Sequence, residues 1–218
     1  MLKELEREYV LTKKGKPVEF AALSFDYLGG KDVMPVGGYW GPYRSGGEVR
    51  GHVLPNLLCE QSFCDIAEVG VNMIVRFKES ADFNDDTDVC RELKYGEKYH
   101  IGIFPQIAPM EAVGGRDTVY KEGDPLPFGR EKLQALLQKY AACPAFLGVS
   151  LTDEPFRYQI PGVKEAYRLF REMGFSQKYT MYTNVLNYEV DDSTRGGARI
   201  GEEMDLDSYY DSLFKDIG

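Results

Sequence analysis

The chain has 218 residues, of which 43% are hydrophobic and 28% charged, a composition that supports one substantial hydrophobic core. Its 35 acidic side chains outnumber 26 basic ones, for a net charge of -9, which repels phosphate backbones and anionic lipid and so argues against nucleic acid or a membrane surface as partner. No apolar run approaches the roughly 20 residues that cross a bilayer, and the charged opening "MLKELEREYVLTKKGK" lacks the apolar stretch of a signal peptide, so a cytoplasmic location is the default expectation.

In chain order, "PVEFAALSFDYLGG" (Pro17 to Gly30) is rich in strand formers and closes on Gly-Gly, which predicts a strand or hairpin arm within an N-terminal extension, residues 1–33. "MPVGGYWGPYRSGG" begins the main unit, residues 34–218, as a strand running into a glycine- and aromatic-rich loop. Leu54 to Val69 carries apolar residues at helical spacing and stops at Gly70, a helix followed by its C-terminal cap. Val71 to Phe77 is a short strand, and "DDTDVCRELKYGEKY" a helix opened by aspartates. "HIGIFPQIA" is a near-continuous apolar strand. Pro109 to Gly129, with its glycines and prolines, reads as a long connection and a candidate rim or lid. Arg130 to Ala142 is periodic as a helix, Phe146 to Leu151 a strand, Pro161 to Met173 a helix capped by Gly174, and "KYTMYTNVL" a fifth strand. "DLDSYYDSLFKDIG" closes the chain as an amphipathic helix.

Strand and helix alternating in this way predict an α/β fold with parallel strands and crossover helices. Successive right-handed crossovers in one direction lead to a (β/α)8 TIM barrel, which takes about 250 residues. The chain therefore reads as a barrel truncated after about five β/α units, with exposed apolar edges that favour self-association unless a C-terminal half follows. The alternative is an open five-stranded doubly wound sheet.

In both folds ligands meet the C-terminal ends of the strands. That filter selects Gly38, Tyr39, Trp40 and Tyr43 after the first strand, Arg76 and Lys78 after the second, and Gln106 after the third. It selects Asp153 and Glu154 after the fourth, and Tyr182, Asn184 and Asn187 after the fifth. Aromatic faces, amides, a guanidinium and carboxylates suit a neutral, polyhydroxylated ligand such as a sugar. No glycine fingerprint for nucleotide phosphates follows any strand. The two histidines, His52 and His100, have no ligand-like neighbours, and the four cysteines lack metal or disulfide spacing and read as reduced packing residues.

The adjacent carboxylates of "LGVSLTDEPF" admit two readings. A general acid working near neutral pH needs a neighbouring charge and a partly apolar pocket, which makes Glu154 the better acid of the pair. Equally, Asp-Glu-Pro is good helix-start chemistry, with Asp153 as N-cap and Pro155 in the first turn.

"GVSLTDEPF" resembles the fourth-strand end of the retaining glycoside hydrolase clan built on the β/α barrel, where Asn-Glu or Asp-Glu, often followed by Pro, carries the acid/base glutamate. "MPVGGYWGPY", "EVGVNMIVRF" and "KYHIGIFPQIA" resemble the first three strands of such proteins. The resemblance covers most of Met34 to Gly218 and implies Glu154 as general acid/base. It puts Asp153 where an asparagine more often binds the sugar 2-hydroxyl, a departure that removes an amide donor. The clan takes its nucleophile from strand seven, which this chain lacks; Glu189, Asp191, Glu202 and Glu203 follow the fifth strand and are not assigned that role.

The resulting expectation is hydrolysis of a small neutral saccharide or glycoside, with no metal or organic cofactor. Glu154 is the catalytic candidate, and Asp153, Tyr39, Trp40, Arg76, Gln106, Tyr182 and Asn184 are the binding candidates. Two rivals stand beside it, a carbohydrate-binding protein without turnover and an unrelated α/β enzyme holding Mg²⁺ on Asp153 and Glu154.

Overall fold

The structure, a computed structural model, describes residues 12–13, 16–17, 36–39, 41–42, 48–49, 52–53, 56–76, 86–115 and 118–184. Two short antiparallel pairs come from the N-terminal part, β1 (Thr12–Lys13) with β2 (Lys16–Pro17), and β4 (Glu48–Val49) with β5 (His52–Val53). Most of the segment expected as a strand between Pro17 and Gly30, and the expected closing helix, lie outside the described residues.

The body alternates strand and helix. β3 (Gly37–Tyr39) is followed by α1 (Glu60–Glu68), β6 (Met73–Val75), α2 (Thr87–Tyr99) and β7 (Gly102–Phe104). Then come α3 (Ala108–Gly114), α4 (Arg130–Ala141), β8 (Gly148–Asp153), α5 (Ile160–Glu172) and β9 (Thr180–Asn184). β3, β6 and β7 pair in parallel, as do β8 and β9. Parallel bridges Ile103↔Phe146 and Gln106↔Ser150 join the two sets. The five strands thus lie side by side in chain order. A doubly wound sheet reverses its order at a switch point, and no reversal occurs among the described strands.

Neighbouring residues on these short strands point to opposite faces. Ile74, Ile103, Val149, Leu151 and Met181 join the helices in the main core, with Phe63, Leu93, Leu133, Leu137, Val163 and Phe170. On the other face Val75, Phe104 and Leu147 form a smaller cluster, with Met73 and Tyr182 against it. Gly148, at φ +144°, lies so close to β9 that a Cβ there would sit 1.7 Å from the Thr180 carbonyl oxygen. Only glycine permits that approach.

Two sequence expectations change, and one choice between two readings is decided. The first helix begins at Glu60, not Leu54, because Asn56 Oδ1 accepts the Leu58 amide at 3.0 Å and holds the preceding residues in a turn. The connection from Pro109 to Gly129 opens inside a helix, α3, with its proline in the first turn. Gly114 of α3 and Gly162 of α5 let these helices touch, the Gly162 oxygen lying 3.1 Å from where a Gly114 Cβ would be. Finally, Asp153 ends a strand rather than capping a helix. The N-cap of α5 is Gln159, after a 3₁₀ turn over Arg157–Gln159.

Candidate functional site

β8 and β9 end together. Asp153 and Asn184 are register partners, the Asn184 side-chain amide donates to Asp153 Oδ1 at 2.8 Å, and the Glu154 amide donates to the Asn184 carbonyl at 2.8 Å. The register shifts between Ser150 and Thr152. A bulge of this kind re-aims the side chains beyond it.

Glu154 is half-buried and has φ +45°, a left-handed conformation that L-residues adopt at a cost of about 1–3 kcal/mol. Surrounding structure must hold it there. The clearest brace is Gln159, buried at 1% exposure. Its Oε1 accepts the Phe156 amide at 2.7 Å and its Nε2 donates to the Gly115 carbonyl at 2.6 Å. The segment after Glu154 is thereby tied to the end of α3. Sequence reasoning missed Gln159, because its role depends on Gly115, 44 residues away.

Tyr182 lies under the same rim, its ring centroid 6.3 Å from that of Phe104. Burial raises its hydroxyl pKa above the usual tyrosine range, and the Asp153 charge adds to the shift. Gln106 is buried and uses Nε2 to reach the Leu151 carbonyl at 3.3 Å. The Ser150 and Thr152 hydroxyls are buried on β8 with no hydrogen-bond partner among the described residues. Such groups cost about 1–3 kcal/mol and call for an explanation beyond packing.

Arg76 directly follows β6. It is 7% exposed, and its guanidinium donates to the Pro42 carbonyl and pairs with Glu92 of α2. Burial pushes the Glu92 carboxyl up to about 8, the Arg76 charge pulling it down and Asp88 pushing it further up. Of the remaining candidates, Tyr39 ends β3 opposite Val75 in the backbone register. Trp40, Tyr43, Lys78, Asn187, Glu189, Asp191, Glu202 and Glu203 lie outside the described residues.

The four cysteines are free and half-buried, and Cys90 and Cys143 pack against the main core. No group of three or more metal-ligating side chains occurs among the described residues, and no helix among them is long and apolar enough to cross a membrane. A groove of ≈ 800 Å³ runs along α5, lined by Tyr120, Asp124, Arg130, Lys164 and Arg168 among others. It does not include the strand ends, and its Arg168 is already paired with Glu165 and Glu172.

No protein-family model matches the chain, and no curated protein matches it. Among solved structures, the crystal structure of Pseudomonas stutzeri endoglucanase Cel5A in complex with cellobiose is similar at a TM-score of 0.42 and 11% identity. The match covers 63% of this chain and 46% of that one, so the chain spans less than half the length of that enzyme.

Proposed function

We propose that this chain forms part of a β/α-barrel fold like that of glycoside hydrolases and acts on a small neutral saccharide or glycoside, with Glu154 as general acid/base. The observation that carries the reading is the backbone of Glu154. A glutamate held in the left-handed region at the end of the fourth of five parallel strands is strained at the place where such folds bind ligands. Among the described strands, neighbours in chain order without reversal support the barrel over the doubly wound sheet.

In this reading Glu154 protonates the glycosidic oxygen as the leaving group departs, then removes a proton from the incoming water. Asp153, fixed by Asn184, accepts a sugar hydroxyl, and Asn184 and Tyr182 complete that side of the rim. Gln106 contributes its side-chain carbonyl, its amide nitrogen being engaged by Leu151. Tyr39 and Trp40 supply the aromatic platform from the first strand. A retaining mechanism needs a second carboxylate about 5–5.5 Å from Glu154, and that residue is not assigned.

The test is Glu154→Gln on a panel of 4-nitrophenyl glycosides. Hydrolysis requires that kcat fall about 100- to 10,000-fold with KM little changed. A sugar-binding protein without turnover gives no release of nitrophenol from either form and a weaker saccharide affinity in the variant.

A further inference from the structure

Arg76 is a buried cation directly after β6, and its guanidinium contacts two groups of the protein, the Pro42 carbonyl and Glu92. Pro42 lies three residues beyond the end of β3, and Glu92 lies in the second turn of α2. One planar guanidinium therefore joins the loop after the first strand to the helix after the second. The loop backbone is seated tightly as well, since a Cβ at Gly41 would fall 2.3 Å from Ile74 Cγ2 and 3.6 Å from Arg76 Cδ.

We propose that Arg76 is a positioning residue, which fixes the backbone at Gly41–Pro42 by gripping the Pro42 carbonyl while Glu92 holds its guanidinium in place. An arginine suits this task because its rigid fork presents several donors at once, whereas a lysine ammonium is a single charge on a flexible stem. The charged or titratable groups facing Glu92 are Arg76 from the strand end, Asp88 one turn earlier on α2, and Tyr140 from α4, whose hydroxyl is itself raised in pKa chiefly by burial, with Glu92 among the smaller causes. Arg76 is thus the cation that balances this buried carboxylate. The consequence for a saccharide rests on the reading proposed above, in which the same loop supplies the aromatic platform; the positioning role itself does not.

The sequence contains one tryptophan, Trp40, directly before Gly41, so tryptophan fluorescence reports on this loop alone. The experiment measures acrylamide quenching and emission maximum in the 218-residue chain for wild type, Arg76→Lys and Glu92→Gln. It is done at pH 9, where the wild-type Glu92 carboxyl is ionised. Lys139→Ala, which breaks the Lys139–Asp86 pair between α4 and α2 and leaves Arg76 alone, controls for general loosening of α2. With helical circular dichroism unchanged, Arg76→Lys is expected to raise the quenching constant about twofold or more, Glu92→Gln to raise it less, and Lys139→Ala to leave it as in wild type. Quenching unchanged in Arg76→Lys overturns the proposal. So does an equal rise in Lys139→Ala, or unfolding of both Arg76→Lys and Glu92→Gln, since Arg76 would then serve the fold at large. A rise in quenching without any saccharide turnover or binding leaves the positioning role standing and removes the saccharide reading. Unchanged quenching with Glu154-dependent turnover does the reverse.

Discussion

Asn184 donates its side-chain amide to Asp153 Oδ1 at 2.8 Å while its carbonyl accepts the Glu154 amide at the same distance. One residue at the end of the fifth strand therefore holds both carboxylate-bearing residues at the end of the fourth. Removing the amide with Asn184→Ala should lower stability by about 1 kcal/mol, a fall in Tm of about 2–4 °C for a domain of this size. Asn184→Asp should lower it further, by placing a like charge against Asp153. Thermal denaturation of the two variants measures the order.

The left-handed backbone of Glu154 predicts an inverted ranking at that position. In extended backbone glycine is the less stable replacement, but at φ +45° it escapes the Cβ clash that alanine retains. Glu154→Gly should be more stable than Glu154→Ala by about 1 kcal/mol, and both should lack turnover. Denaturant melts separate them.

Gln159 offers a test of the brace behind Glu154. Gln159→Ala leaves the Phe156 amide and the Gly115 carbonyl without this partner and should destabilise the chain by about 2–3 kcal/mol. Gln159→Glu keeps the acceptor for Phe156 but places a carboxylate against the Gly115 carbonyl, so it should not restore stability. Backbone amide exchange at Phe156 should quicken in Gln159→Ala and less so in Gln159→Glu.

These braces mark the boundary of what the sequence makes legible. Helical spacing over Arg130–Ala142 and Pro161–Met173, and glycines at the ends of α1 and α5, are local signals, and the structure follows them to within a residue, with helices at Arg130–Ala141 and Ile160–Glu172. α3 was hidden because Pro109, Gly114 and Gly115 carry the chemistry of a loop as readily as that of a helix start and a close helix contact. Likewise Asp-Glu-Pro fits a helix start locally, and the strand pairing with β9 decides otherwise. Arg76 was expected to face a ligand from its place after a strand. Its partners, Pro42 and Glu92, lie 34 and 16 residues away in the chain, and no local pattern announces them.

Glu92 predicts how stability varies with pH. Its folded-state pKa, raised to about 8, lies above the ordinary 4.5, so between those values the folded chain keeps a proton that the unfolded chain releases. Stability from this group is full below about pH 4.5 and declines as pH rises toward 8. Glu92→Gln removes the titration. The difference in Tm between wild type and Glu92→Gln should therefore drift against wild type from pH 5 to pH 8, and level off above it.

The central claim is that Glu154 donates a proton to a departing glycosidic oxygen. The direct measurement is the dependence of kcat/KM on leaving-group acidity for aryl glycosides in wild type and Glu154→Gln. A departing 2,4-dinitrophenolate needs little protonation, whereas a poorly acidic phenol needs a full proton. The account predicts that Glu154→Gln loses about 100-fold or more on the poorest leaving groups and far less on the dinitrophenyl substrate, giving a steeper dependence than wild type. An equal loss across the series, or no loss, would contradict it.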